Sequence, residues 1–251
     1  ANMLTNEMYL DSADIRKNII SLAKMLGYTP SSVRAPTASI DILVGDGTGS
    51  SITMTKGTVF TTTVDGTSYQ FINNADVITT PVDGVYRFSD VTIYEGTLVT
   101  FRYTVDTTDT DQRFIIPSSL ADTSTLVVKV QNSSIDTTTN TYTLATGLAT
   151  VQATSKVYFL QEVEDGRFEV YFGDDVIGSA LSNGNIVILE YIVTNVEAAN
   201  GASTFTPSTT IGGFSNITVT TNSNAQGGTP AESKESVRFN APLQYTAQNR
   251  A

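Results

Sequence analysis

Cysteine, histidine and tryptophan are all absent from this chain of 251 residues. Without cysteine there is neither a disulfide nor a thiolate metal site. Without histidine the commonest general base is missing, and with it the Ser-His and Cys-His nucleophile pairs and nearly every transition-metal site. Basic residues are few: 14 Lys and Arg stand against 25 Asp and Glu, a formal net charge of -11. Such a surface repels phosphate backbones and anionic headgroups, so neither nucleic acid nor a membrane is expected as a partner. No apolar run approaches the roughly 20 residues that cross a bilayer.

What is present points to β structure. Threonine is abundant, and Val, Ile, Tyr and Phe recur in short bursts separated by Asp, Asn, Gly and Ser. In TLVTFRYTV, Val99, Phe101, Tyr103 and Val105 share one face and Thr100, Arg102 and Thr104 the other. In RFEVYFG, Phe168, Val170 and Phe172 alternate with Arg167, Glu169 and Tyr171. Further strands are expected at ASIDILV, GTVFTTTV, SYQFIN, DVTIYE, RFIIP, TLVVKVQ, NTYTLAT, VYFLQEVE, NIVILEYIVT and NITVTT. Asp165-Gly166 is the strongest hairpin signal, because glycine accepts the positive φ of a tight turn; Asp65-Gly66 and Asp83-Gly84 are weaker copies. Short strands with turn signals roughly every 8 to 12 residues predict a mainly β fold, a sandwich or partly open barrel, over 37–221.

The flanks are helical in pattern. In SADIRKNIISLAKMLGYTP, Ile15, Ile19, Leu22, Ala23 and Leu26 form one stripe, with Ser12 as N-cap, Gly27 as left-handed terminator and Pro30 as stop. Met3, Leu4, Met8 and Leu10 suggest the end of an earlier helix. Segment 1–36 is therefore read as an N-terminal helical segment. After Thr221, NSNAQGG reads as a flexible connector opening a C-terminal region, 222–251. There Thr229, Pro230 and Glu232 form a capping box, and Pro242 is expected to bend or interrupt the helix.

Four patterns carry possible chemistry. Ser21 and Lys24 in SLAK match the S-x-x-K of serine acyl-transfer enzymes, but the companion S-D-N and K-T-G elements are missing, and a solvated helix face accounts for them. GDGTGSS, 45–51, is glycine-rich, yet a β-like segment follows it and Lys56 lies too far along, so it reads as a hairpin turn. Glu162, Glu164 and Glu169 could pair as glycosidase carboxylates; a solvent-facing acidic hairpin explains the same residues. Asp106, Asp109 and Asp111 offer calcium oxygens without the central glycine and distal glutamate of a helix-loop-helix site. The residues alone describe an acidic, mostly β, non-enzymatic protein, with no catalytic, metal or cofactor residues assigned and no cofactor needed for folding.

Four blocks in order carry a family resemblance: NEMYLDSADIRKNIISLAKMLGYTPSSVRAPTASI, MTKGTVFTTTVDGTSYQF, the run from FGDDVIG through NGNIVILEY to AANGA, and ESVRFNAPLQYTAQNRA. Together the sequence resembles the baseplate J-like family of contractile phage tails, most closely its baseplate wedge proteins. The resemblance implies a structural wedge subunit of the inner baseplate ring, partnered by other wedge subunits and copies of itself. It also implies a place in the virion after assembly in the host cytoplasm, and no small-molecule substrate. Family wedge proteins carry further helical sequence before these blocks and a substantial region after them. The chain is therefore expected to be a fragment, with Val237 and Leu243 packing on a region outside it and a mobile C-terminal end. Two other readings stay open: a β-rich receptor-binding or tail-fibre-type adhesin domain, and a phage polysaccharide-degrading enzyme.

Overall fold

The computed structural model describes residues 7–45, 49–146 and 150–248. In chain order the elements are α1 (Arg16–Met25), β1 (Thr37–Val44), β2 (Ile52–Met54), β3 (Val59–Val64), β4 (Thr67–Asn73), β5 (Val77–Thr79), β6 (Pro81–Val82), β7 (Val85–Glu95), β8 (Thr97–Thr104), β9 (Phe114–Ile115), β10 (Ala121–Gln131), β11 (Thr139–Leu144), β12 (Val157–Glu162), β13 (Phe168–Phe172), β14 (Ile186–Val193), β15 (Thr206–Pro207), β16 (Ile217–Gln226) and α2 (Lys234–Gln248). The mainly β expectation holds. Every strand read from the sequence is found, RFIIP as the two residues of β9, while the short β2, β5, β6 and β15 were not anticipated.

The chain divides into two compact units of interleaved segments, one made of Ala1–Ser32, Thr100–Glu190 and Ala231–Ala251, the other of Val33–Val99 and Tyr191–Pro230. In the second unit β1 shows why the sheet forms. Ala38, Ile40, Ile42 and Val44 turn inward while the residues between them stay half-exposed, the period of two expected of a strand with one dry face. The sheet order is β15-β3-β4-β7-β1-β16, with β6 on β7. The end strand β15 comes back beside β16, which nearly closes the sheet. Its interior holds Ile40, Ile42, Phe60, Phe71, Tyr86, Phe88 and Ile93; Phe205 meets Phe71 edge-on at 4.9 Å. The stretch read as a connector, NSNAQGG, is instead strand as far as Gln226, paired to Thr37 of β1. Its polar composition misled because the outer face of this strand is wet.

The first unit has a second seven-stranded sheet, ordered β8-β14-β10-β11-β12-β13-β9. The Tyr103 hydroxyl of β8 donates to the Ile115 carbonyl of β9 at 2.6 Å, and the Phe114 ring lies edge-on to Tyr103 at 5.6 Å. First and last strands are thus drawn together and this sheet also nearly closes. A file of rings, Phe101, Tyr103, Phe114, Phe172 and Tyr142, runs through it with centroid spacings of 4.9 to 5.6 Å.

The three Asp-Gly pairs read as hairpin signals are all turns. Asp65 and Gly66 (φ 49 and 81), Asp83 and Gly84 (52 and 75), and Asp165 and Gly166 (59 and 69) each place two successive residues at positive φ, the type I′ signature. The Arg167 N–H donates to the Glu164 carbonyl across the third pair. Gly166→Val forces a β-branched residue to positive φ and is expected to cost about 1–3 kcal/mol; an unchanged urea midpoint would place the turn elsewhere.

The helices differ from expectation at their starts. Ser12 does not cap α1: its hydroxyl donates to the Tyr9 carbonyl, and the Glu7 carboxylate accepts from the N–H groups of Asp14 (2.9 Å) and Ile15 (3.3 Å). The end is as expected, for Gly27 is left-handed and the Tyr28 and Gly27 N–H groups reach the Ala23 and Lys24 carbonyls in a Schellman motif. Of the earlier helix expected upstream, Met3 and Leu4 lie outside the described residues, and Met8 and Leu10 sit in turns. Helix α2 begins at Lys234, four residues later than the expected capping box would start it. Ser233 is its cap, accepting from the Ser236 N–H at 3.1 Å, while Thr229 pairs with Arg34 in an isolated bridge. The helix runs through Pro242 without interruption. Val237 and Ala241 are fully buried against Ala13, Ile19, Ile20 and Ala23, so Val237 packs on α1 rather than on a region outside the chain. Leu243 is exposed.

Candidate functional site

The carboxylates of the β12–β13 hairpin are the residues most able to do chemistry, and their register separates them. Gln161 pairs with Glu169 and Glu162 with Phe168, so Glu162 and Glu169 project to opposite faces of the ladder. Two carboxylates on opposite faces cannot flank one glycosidic bond. Nor is this hairpin a solvent-facing acidic one, as the sequence suggested: Glu162 and Glu169 are both buried, and of the three carboxylates Glu164 alone is exposed.

Each buried carboxylate is held by an arginine from elsewhere in the first unit. Arg16 of α1 donates to Glu162 through Nε (2.7 Å) and Nη2 (2.8 Å), and its Nη1 donates to the Glu232 carbonyl at 2.7 Å. Arg113 donates to Glu169 through Nε (3.0 Å) and Nη2 (2.6 Å), with a longer contact from Nη1 to Glu164 at 3.5 Å. The Tyr171 hydroxyl also donates to Glu169, at 3.0 Å. Burial, reinforced by Glu169, pushes the Tyr171 phenol up to about 12. Around Arg113 and Glu169 lies an open cleft of about 570 Å³, lined also by Phe114, Tyr171 and Phe172. Its one buried charge, Glu169, is already held by Arg113 and Tyr171.

No local pattern points to these arginine partners, which lie 146 and 56 residues from their carboxylates. One signal for Glu162 was available: it falls in phase with Tyr158 and Leu160, the inward positions of β12.

The other patterns resolve into local structure. Ser21 and Lys24 are both exposed on α1, and the Lys24 ammonium sits 5.6 Å from the centre of the Tyr171 ring. Of GDGTGSS, residues 46–48 lie outside the described residues; the Gly49 N–H donates to the Tyr86 hydroxyl and the Gly45 N–H to the Asn216 carbonyl. Asp106 accepts from the Thr108 N–H and hydroxyl, and Asp109 from the Asp111 N–H, so these carboxylates shape their own loop. Among the described residues no three acidic side chains gather as a metal group.

Glu232 is a hub in the first unit. It accepts from the Tyr28 hydroxyl (2.7 Å), the Ser31 N–H (3.1 Å), the Ser236 hydroxyl (2.7 Å) and Asn240 Nδ2 (2.9 Å), fastening the start of α2 to the segment after α1. Burial raises its pKa, but the hydrogen bonds from Ser236, Asn240, Tyr28 and Ser31 outweigh burial and hold the carboxyl below its ordinary value. Burial, then Glu232, pushes Tyr28 up to about 12. A carboxyl depressed by folding stabilises above its unfolded pKa of about 4.3, and that contribution is lost as pH falls through the folded value. A phenol raised by folding stabilises below about 10, and loses this as pH climbs toward its folded value. Urea midpoints are therefore expected to fall on both flanks, and Glu232→Gln to flatten the acid flank; an unchanged acid flank in that variant would remove Glu232 from the account.

Some apolar side chains are left in water. Ile135 is 94% exposed at the tip of the β10–β11 loop, Val176 is exposed in the FGDDVIG loop, and Phe239 and Leu243, four apart on α2, face away from Val237 and Ala241. The loop under Ile135 is tied down: the Ser133 hydroxyl accepts from the Ile135 and Asp136 N–H groups, and Asp136 accepts from Asn132 and Thr138.

Fold and site together describe a mainly β protein whose buried carboxylates are held by arginines and whose apolar side chains stand out on ordered loops and a helix. No family model matches the chain. It is similar to the baseplate wedge protein gp6 of Enterobacteria phage T4, with 25% identity over 275 residues. That match covers 99% of this chain and 40% of the length of the phage T4 protein.

Proposed function

We propose that this chain is a structural part of a contractile-tail baseplate wedge in a bacteriophage virion, acting through protein–protein surfaces. The observation that carries this reading is the extent of the similarity to the phage T4 wedge protein, 99% of the chain in a single match. The geometry agrees with it. The buried acidic side chains hold elements of the fold together, and exposed Ile135, Val176, Phe239 and Leu243 are the kind of apolar side chains that protein interfaces cover. The proposed partners are other wedge subunits and further copies of the chain, joined during assembly in the host cytoplasm.

The test is binding of the 251-residue chain to wedge proteins of the same phage, measured beside binding to host cells and clearance of host polysaccharide. Association with wedge proteins, without cell binding or clearance, is expected. Tight binding to host cells with no wedge association would mean an adhesin, and clearance would mean an enzyme; either overturns the proposal.

A further inference from the structure

Glu95, the last residue of β7, is fully buried, and no lysine or arginine pairs with it among the described residues. Its carboxylate accepts from the Thr194 hydroxyl (2.6 Å), the Asn195 N–H (2.8 Å) and Asn195 Nδ2 (2.7 Å). Thr194 Oγ1 in turn accepts from the Val196 N–H at 3.0 Å. The polarity of this relay is fixed: the single Thr194 proton goes to Glu95, which leaves the oxygen free to receive Val196.

Val196 is where the relay ends, and it sits at φ 61. A β-branched residue in the left-handed region is a true outlier and persists only where its surroundings impose it. The backbone around it is crowded. A Cβ on Gly96 would lie 2.2 Å from the Val193 carbonyl, and one on Gly228 would lie 2.6 Å from the Val196 carbonyl and 2.6 Å from Pro36. Asn200 clamps the Gly228 backbone from both sides, donating to its carbonyl at 2.9 Å and accepting from its N–H at 3.0 Å. The Glu95 N–H donates to the Pro36 carbonyl at 2.9 Å, and Arg34 and Thr229 exchange backbone bonds at 2.9 and 3.2 Å.

The chain passes between its two units after Ser32, Val99, Glu190 and Pro230. Within the second unit, the residues nearest those four passages are the ones gathered at this corner: 34–36, 95–96, 193–194 and 228–229. The strained turn lies against these four segments of the second unit.

We propose that residues 194–200 are a strained latch, held shut by Glu95 as its positioning residue, which opens without unfolding the sheet beneath it. The backbone strain at Val196 is stored only while the hydrogen bonds to Glu95 last. Once they break, Val196 returns to negative φ, its carbonyl leaves Gly228, and the segments of the second unit packed on the turn loosen together.

Hydrogen exchange on the full 251-residue chain tests this. Glu95→Leu removes every acceptor, and amides of 194–201 and 228–229 are expected to exchange at least roughly tenfold faster while Ile40 and Ile42 of β1 keep their wild-type rates. Glu95→Gln keeps the oxygen used by Thr194 and the Asn195 N–H, and a turned Asn195 amide accepts from its nitrogen, so it should exchange as wild type. Val196→Gly, which relieves the strain and keeps the bonds, should slow exchange of 194–201 in the wild-type chain and restore protection to Glu95→Leu. Should Glu95→Leu fail to fold, Thr194→Val breaks the relay with little change of shape and carries the same expectation. The proposal is overturned if Val196→Gly leaves exchange unchanged or speeds it, or if relay variants raise exchange across the whole sheet.

Discussion

Replacing Arg16 with methionine is expected to lower stability by about 3 kcal/mol, a shift of roughly 6–12 °C in melting temperature for a unit of this size. The side chain of Glu162 is 2% exposed and that of Arg16 32% exposed. Removing the guanidinium leaves an ionised carboxylate in a dry site without its bidentate partner, and the cost is chiefly that uncompensated charge. The partial exposure of Arg16 places the estimate at the low end of the usual range for a broken buried pair. The same change removes the bond to the Glu232 carbonyl, so the start of α2 should loosen with it. Arg16→Met with Glu162→Met should recover most of the loss, because an apolar pair of similar volume replaces the buried charges. Thermal melts of the wild type, Arg16→Met, Glu162→Met and the double variant form a double-mutant cycle; a wild-type melting temperature for Arg16→Met alone would mean that Glu162 is solvated.

The second large effect is expected at Val237. Its side chain has no exposure and lies against Ile19, Ile20 and Ala23 of α1. Val237→Asp places an unpaired carboxylate among apolar groups at a cost of about 3–5 kcal/mol, more than an isolated helix of this length can withstand. Helix α2 should therefore detach. Amides of 237–246 should exchange at least roughly a hundredfold faster, while the Phe168–Phe172 strand keeps its protection. In the wild-type chain the amide of Ala241 should be slow. Fast exchange there would restore the expectation of a mobile tail that the packing on α1 replaces.

What the sequence by itself determined was local. The period of two in β1, the positive-φ turns at Asp65-Gly66, Asp83-Gly84 and Asp165-Gly166 and the left-handed Gly27 after α1 follow from sterics within a few residues, and each was legible as written; the buried face expected of β8 was not found, for Phe101 is exposed. Composition also set limits, since a chain without histidine or cysteine cannot build chemistry that depends on them. The cap of α1 was not legible, because Glu7 supplies it from eight residues upstream of Ile15 instead of Ser12. Nor was the start of α2, where Glu232 has the spacing of a capping-box member and instead binds Tyr28, 204 residues away. Only the tertiary structure decided which carboxylates were dry, that Arg16 and Arg113 answer them, that Val237 meets α1, and that Glu95 holds Val196 in a left-handed turn 101 residues further on. Periodicity reports which face of a strand is buried; it does not say what the buried face meets. The partner of a buried charge is chosen by the chain's return to the same place, and that return depends on sheet order and register, which no local spacing encodes.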